Sequence, residues 1–297
     1  MRAALVIAGS SALIVALPAQ AQLGSYYSGM AFNGLVTNQV NITQTAVARQ
    51  STRLVKNGIG VPGTGANPAR AASLRYSPSS AARRANLAAF VEKSRARDPQ
   101  GAAGMQQLFA QGDFIEALGR EMAPMGLRVD NLADAYITYW IAAWQAAHGD
   151  RSDPSKQTYQ AVRRQAVAAL LATPEVASAT NSQKQELAEA LLVQAALISS
   201  GQAKYADDPA ITAKLAAAVR QGAKASGLDL DAMTLTEAGF VPATKTGAAD
   251  PAPGTPPQAL AAREGAKGAP DYALLALAGG AGAAGLFLLG RYTGRRG

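Results

Sequence analysis

The chain has no cysteine and a single histidine, His148, among 297 residues. Disulfide frameworks, thiol nucleophiles, Cys/His zinc sites and the His-Glu-x-x-His helix are therefore excluded by count, and stability has to come from packing. A Ser-His-Asp triad remains open arithmetically, yet no Gly-x-Ser-x-Gly elbow is present to supply its nucleophile. Aromatic residues are scarce, and both tryptophans, Trp140 and Trp144, fall in one short stretch. Acids are nearly missing from one region: between Arg49 and Arg97 ten Lys/Arg face the lone acid Glu92. From Asp98 to Asp271 the balance reverses to −5, so the overall charge of +8 belongs to an arm and to the chain ends, not to the body. Long apolar runs are confined to the two termini.

Those termini predict an address. Met1 to Ala21 reads as a signal peptide: Arg2, an apolar run from Ala3 to Leu17, then Pro18 and the small-x-small site Ala19-Gln20-Ala21. Tyr272 to Gly290 carries no charge, and nineteen helical residues span roughly 28 Å, the thickness of a hydrocarbon core. Arg291, Arg295 and Arg296 follow it, and the positive-inside rule predicts that residues 291–297 form a basic cytoplasmic tail behind a transmembrane helix at 272–290. The expectation is export, with the body in the periplasm, anchored to the inner membrane. The alternative is a cleaved C-terminal sorting signal, which would leave the body secreted or surface-bound.

Between these ends, residues 22–76 read as a flexible, partly basic arm, uncharged as far as Ala48 and punctuated by Gly and Pro. Gly58-x-Gly60-x-x-Gly63 matches a dinucleotide fingerprint only as a string, because no buried strand precedes it, Pro62 interrupts it and no acid follows at the required distance. The ten cations between Arg49 and Arg97, five of them in the arm, suit an anionic envelope polymer, a lipid or a protein, including the acidic body itself; export argues against nucleic acid.

From Ser77 the pattern turns helical. Helices are expected near 78–97, 104–123 with a break at Gly112-Asp113, 130–148, 154–172, 182–204 and 209–225, with a short one at 231–238. Ser77-Pro78, Asp153-Pro154, Thr173-Pro174 and Asp208-Pro209 each place a capping oxygen before a proline, and Ser182 with Gln185 forms a candidate capping box. The fold class predicted is all-α: a single helical-bundle domain at 77–242, with an irregular N-terminal arm. A Pro-, Ala- and Gly-rich linker follows at 243–271, and then the C-terminal span.

The segment Asp130 to Gly149 is apolar around most of its circumference, which marks it as the central rod of the bundle. Tyr136, Tyr139, Trp140 and Trp144 are expected in the core, with a ligand-stacking wall as the minority reading. Asp130, Asp134, Thr138, Gln145 and His148 fall along one polar seam and form the candidate site. Lining a cleft, they would make an envelope hydrolase conceivable; facing solvent, Asp130 is a cap, Asp134 favours the positive helix end and His148 the negative one. No metal ligand set and no cofactor is predicted.

Two stretches resemble a known family: Met125-Gly126-Leu127 running into Asn131-Leu132-Ala133-Asp134-Ala135-Tyr136 and Tyr139-Trp140-Ile141-Ala142-Ala143-Trp144, then Gly227-Leu228-Asp229-Leu230 with Leu235-Thr236-x-x-Gly239-Phe240-Val241. On these the chain is similar to the domain of unknown function 6683 family, a bacterial group of exported proteins, over residues 75 to 242. The resemblance implies a signal-bearing helical domain and carries no catalytic residues. The expected role is a non-catalytic binding or scaffolding module of the cell envelope.

Overall fold

The computed structural model describes residues 42–58, 68–96 and 98–244. The stretches expected to be a signal (1–21), a transmembrane helix (272–290) and a basic tail (291–297), and the expected linker beyond residue 244, lie outside the described residues. Ten α-helices are described: α1 (Ile42–Lys56), α2 (Pro68–Ala72), α3 (Ser80–Arg95), α4 (Pro99–Ala110), α5 (Phe114–Met122), α6 (Leu132–His148), α7 (Lys156–Leu171), α8 (Pro174–Ala177), α9 (Asn181–Lys204) and α10 (Pro209–Ala225). A two-stranded antiparallel hairpin, β1 (Met233–Thr236) and β2 (Gly239–Pro242), closes the fold.

Helix α6 is the rod. Of its side chains only Thr138, Gln145 and His148 reach solvent; Tyr136, Tyr139 and Trp140 are essentially inaccessible and Trp144 nearly so. The helix packs most extensively on α9, then on α10 and α7. Alanine at 133, 135, 142, 143, 146 and 147 lets these neighbours approach closely. Asn131 caps the N-terminus through the backbone N–H groups of Ala133 and Asp134, and Gly149 ends the helix in the left-handed region (φ 66°) that favours glycine. Asp130, expected to be the cap, stands one residue too early.

The break at residues 112–113 is as expected, with Asp113 capping α5, and Asp208 caps α10 ahead of Pro209. Three other starts are displaced by two residues. Ser79, not Ser77, caps α3; Ser155, not Asp153, caps α7; and the capping box that opens α9 is Thr180 with Gln183. In α3 a tertiary contact decides: Ser79 N–H donates to Gln185 Oε1 and its carbonyl accepts from Gln185 Nε2, which pins the extended residue before the helix.

Two expectations are corrected. Residues 42–56 are not part of a flexible arm; they form α1, which buries Val47, Ala48, Ser51 and Val55 on one face against α7 and the hairpin. Thr52 Oγ1 donates to the Gly227 carbonyl and accepts from Asp229 N–H, and Lys56 pairs with Asp229 at 2.7 Å. The predominantly helical class is as expected, but the short helix predicted at 231–238 is corrected: a two-stranded hairpin stands at 233–242. Gly239 has φ 98°, which no helix accommodates, and a Cβ there would lie 2.6 Å from Gln165 Oε1. Buried Gln165 then acts as a strand edge, accepting from Phe240 N–H (2.9 Å) and donating to its carbonyl (2.7 Å).

The two stretches that carry the family resemblance meet here. Phe240 stacks on Trp140 with centroids 4.5 Å apart and meets Trp144 edge-on at 6.2 Å. Trp140 Nε1 donates to Met233 Sδ and Trp144 Nε1 to the Met233 carbonyl (2.9 Å). Both indole N–H groups are thereby satisfied by the hairpin that seals the rod.

Candidate functional site

The polar seam of α6 proves to be several separate arrangements. Asp130 lies at the surface, held by Arg128 and Arg75; the Arg128 guanidinium keeps its carboxyl below the ordinary range against a smaller opposing effect of burial. Asp134, one turn on, is completely buried. One of its oxygens pairs with Arg163 of α7 and the other accepts from Arg128 N–H at 3.0 Å. Desolvation raises its pKa, and Arg163 opposes that only in part. Asp134 thus bolts the loop 126–131 and α7 to the start of the rod.

Thr138 Oγ1 turns back to the Asp134 carbonyl at 2.8 Å, a local helix bond that leaves no hydroxyl proton for chemistry. Gln145 Nε2 donates to the Ser152 carbonyl and ties down the turn after the helix. His148 stacks on Trp144 with centroids 4.5 Å apart, bonds the Trp144 carbonyl through Nδ1, and lies 3.8 Å through Nε2 from Asp231, which Arg220 also holds. Fourteen residues separate Asp134 from His148, roughly 21 Å along a helix axis. The structure therefore does not bring these two groups to one place.

A second charged cluster was not anticipated. Arg83 of α3 is buried and lies among three carboxylates: Glu189 of α9 at 3.0 Å through Nε, and Asp113 and Glu116 of α5 through Nη1. Glu189 is almost wholly buried and also accepts from Asn86 Nδ2 (2.7 Å) and Gln185 Nε2 (2.9 Å). The sequence offered little to find it by, since Arg83 stands beside Arg84 in a run of cations that reads as a solvated face. Its partners come from helices thirty or more residues away.

The basic stretch 49–97 is likewise partly spent within the molecule: Lys56 on Asp229, Arg75 on Asp130 and Arg83 on the carboxylates of Asp113, Glu116 and Glu189. Arg49, Arg53 and Arg70 are exposed and form no ion pair among the described residues. Among those residues there is also no group of three or more His, Asp or Glu able to hold a metal, and no helix long and apolar enough to cross a membrane.

With the Trp140–Phe240 contact joining the two characteristic stretches, the sequence comparison becomes intelligible. A family model described as a family of unknown function, DUF6683, matches residues 2–242. The chain belongs to this family. The match to DUF6683 starts well before the residues 75 to 242 that carry the resemblance, and it takes in α1, which the structure places in the core. It stops at Pro242, the last residue of β2. No curated protein matches the chain, and no solved structure does.

Proposed function

We propose that this DUF6683 member is an exported helical module, tethered to the membrane through residues 272–290, that binds a component of the cell envelope and catalyses no reaction on it. The observation that carries this reading is how the candidate groups are used. Asp134 holds a loop and Arg163, His148 caps the rod over Trp144 beside Asp231, and about 21 Å of helix lies between them. General acid–base catalysis needs both groups within hydrogen-bond reach of one substrate, a requirement that separation defeats. The signal at 1–21, the uncharged run 272–290 and the arginines behind it support the address. The exposed cations of α1 and α2 offer an anionic polymer, lipid or protein a first contact.

Two measurements test the reading. A reporter fused after Gly297 should stay in the cytoplasm while one inserted in the 243–271 linker is exported; the opposite pattern refutes the tether. His148→Gln, which keeps a polar side chain at the helix end, should complement a deletion strain fully, whereas loss of function with an intact fold would restore the hydrolase.

A further inference from the structure

Helices α3 and α4 pack on each other, and a groove of about 260 Å3 opens to solvent between them. Its floor is apolar, formed by the buried side chains of Leu87 and Val91 on α3. Phe109 of α4 makes one wall. Its half-buried ring rests on Phe114 with centroids 5.2 Å apart, so the wall is in place before anything binds. Ala88 stands exposed on the opposite rim. Ala81, Ala85 and Ala89 extend this bare face of α3, and side chains so small let the axis of another helix come near.

The charges along the groove select its occupant. Arg84 and Glu92 line it four residues before and four residues after Ala88. Arg84 is exposed and forms no ion pair among the described residues. Glu92 pairs with Arg95 of its own helix at 3.2 Å, but 68 % of its side chain is exposed, and a surface pair of this kind holds a carboxylate weakly. In two antiparallel copies of α3 related by a two-fold axis at Ala88, residues equally far before and after Ala88 stand level across the seam. Arg84 of each copy then meets Glu92 of the other, and two ion pairs about 12 Å apart frame the contact. A parallel alignment would instead set Arg84 against Arg84 and Glu92 against Glu92.

We propose that the α3–α4 face is the interface of a homodimer, in which α3 of each copy lies antiparallel in the groove of the other with the two-fold axis at Ala88. The apolar floor and the Phe109 wall supply the contact that excludes water, while the Arg84–Glu92 pairs fix direction and register. Such a dimer does not depend on the envelope role. A misplaced reporter at Gly297 would overturn the proposed address and leave this interface standing.

The chain has no cysteine, so a thiol introduced at residue 88 reports this contact alone. The full chain in detergent should sediment as a dimer. Ala88→Cys should form a disulfide-linked dimer on mild oxidation, because the two Cβ atoms face each other across the axis, whereas Ala177→Cys, exposed on α8, should not. Adding Arg84→Glu to Ala88→Cys should lower the cross-linked fraction at least ~10-fold, and so should adding Glu92→Arg, since each sets like charges opposite one another. Mixing those two proteins should restore cross-linking, because every pair in the mixed dimer is again opposite in sign. Melting temperatures should stay unchanged, since both side chains are exposed. A parent chain that sediments as a monomer, as it would if the groove served a different protein, would overturn the proposal. Equal cross-linking at residues 88 and 177, or charge reversals without effect, would do the same.

Discussion

Arg83 shows at the scale of one residue how a surface-like sequence becomes an interior bolt. Among the described residues its guanidinium is the one charged partner of buried Glu189, beside two neutral amides, and it ties α3 to α5 and α9 at once. Arg83→Met should therefore cost about 3–5 kcal/mol, because it strands a buried carboxylate. Arg83→Met with Glu189→Leu should recover most of that loss, since an apolar pair of similar volume removes the stranded charge. Urea denaturation of the three proteins decides it: a double variant no better than the single would show that the carboxylate is not what the arginine compensates. Gln165 is the other such residue. Gln165→Leu leaves the N–H and carbonyl of Phe240 unsatisfied inside the fold, and a loss of about 2–4 kcal/mol is expected by the same denaturation.

Among the elements, those with strong local signals were legible in the chain. The rod at 130–148, the break before Asp113, the Asp208-Pro209 start and the short helix after Thr173 all follow from apolar periodicity and capping chemistry that neighbouring residues supply. Where a distant residue decides the outcome, the signal was too weak. Gln185 moves the start of α3, and Gln165 holds Phe240 in β2, the strand that pairs with the otherwise ambiguous Met233-Thr234-Leu235-Thr236. Helix α1 was missed because its buried stripe is thin, Val47, Ser51 and Val55 among many Gln, Thr and Arg. The candidate site suffered more, since a seam drawn on a helix surface says nothing about which neighbour covers it; Arg163 buries Asp134, and no periodicity reveals that. A chain beginning after residue 60 should melt well below one beginning at residue 41, because Tyr136 Oη loses its acceptor Ser51 and Asp229 loses both Thr52 and Lys56. Equal melting of the two would return residues 42–56 to the status of an arm.

The described residues form a set of helices packed about α6 and sealed by the hairpin, and their interior hydroxyls set an alkaline limit. Burial raises Tyr139 and Tyr159 to about 12, and Tyr76 and Tyr136 further still. Because the folded pKa values lie above the unfolded one, this stabilisation is complete below about pH 10 and is lost as pH rises. Each such tyrosine contributes a slope of roughly 1.4 kcal/mol per pH unit between the two values. Phenolate absorbance should accordingly appear for these residues together with unfolding and not before it; smooth ionisation in a folded protein would contradict their burial.

The tryptophan-bearing helix lies at the centre of the bundle, and the hairpin at 233–242 seals it. Trp140 and Trp144 are the chain's only tryptophans, so their emission reports that centre alone. Iodide quenching of the native protein should be slight and the emission blue-shifted, and Phe240→Ala, which removes the ring stacked on Trp140, should raise the quenching while the far-ultraviolet helical signal persists. Free quenching of the native protein, or a Phe240→Ala variant as well shielded as the parent, would contradict the account.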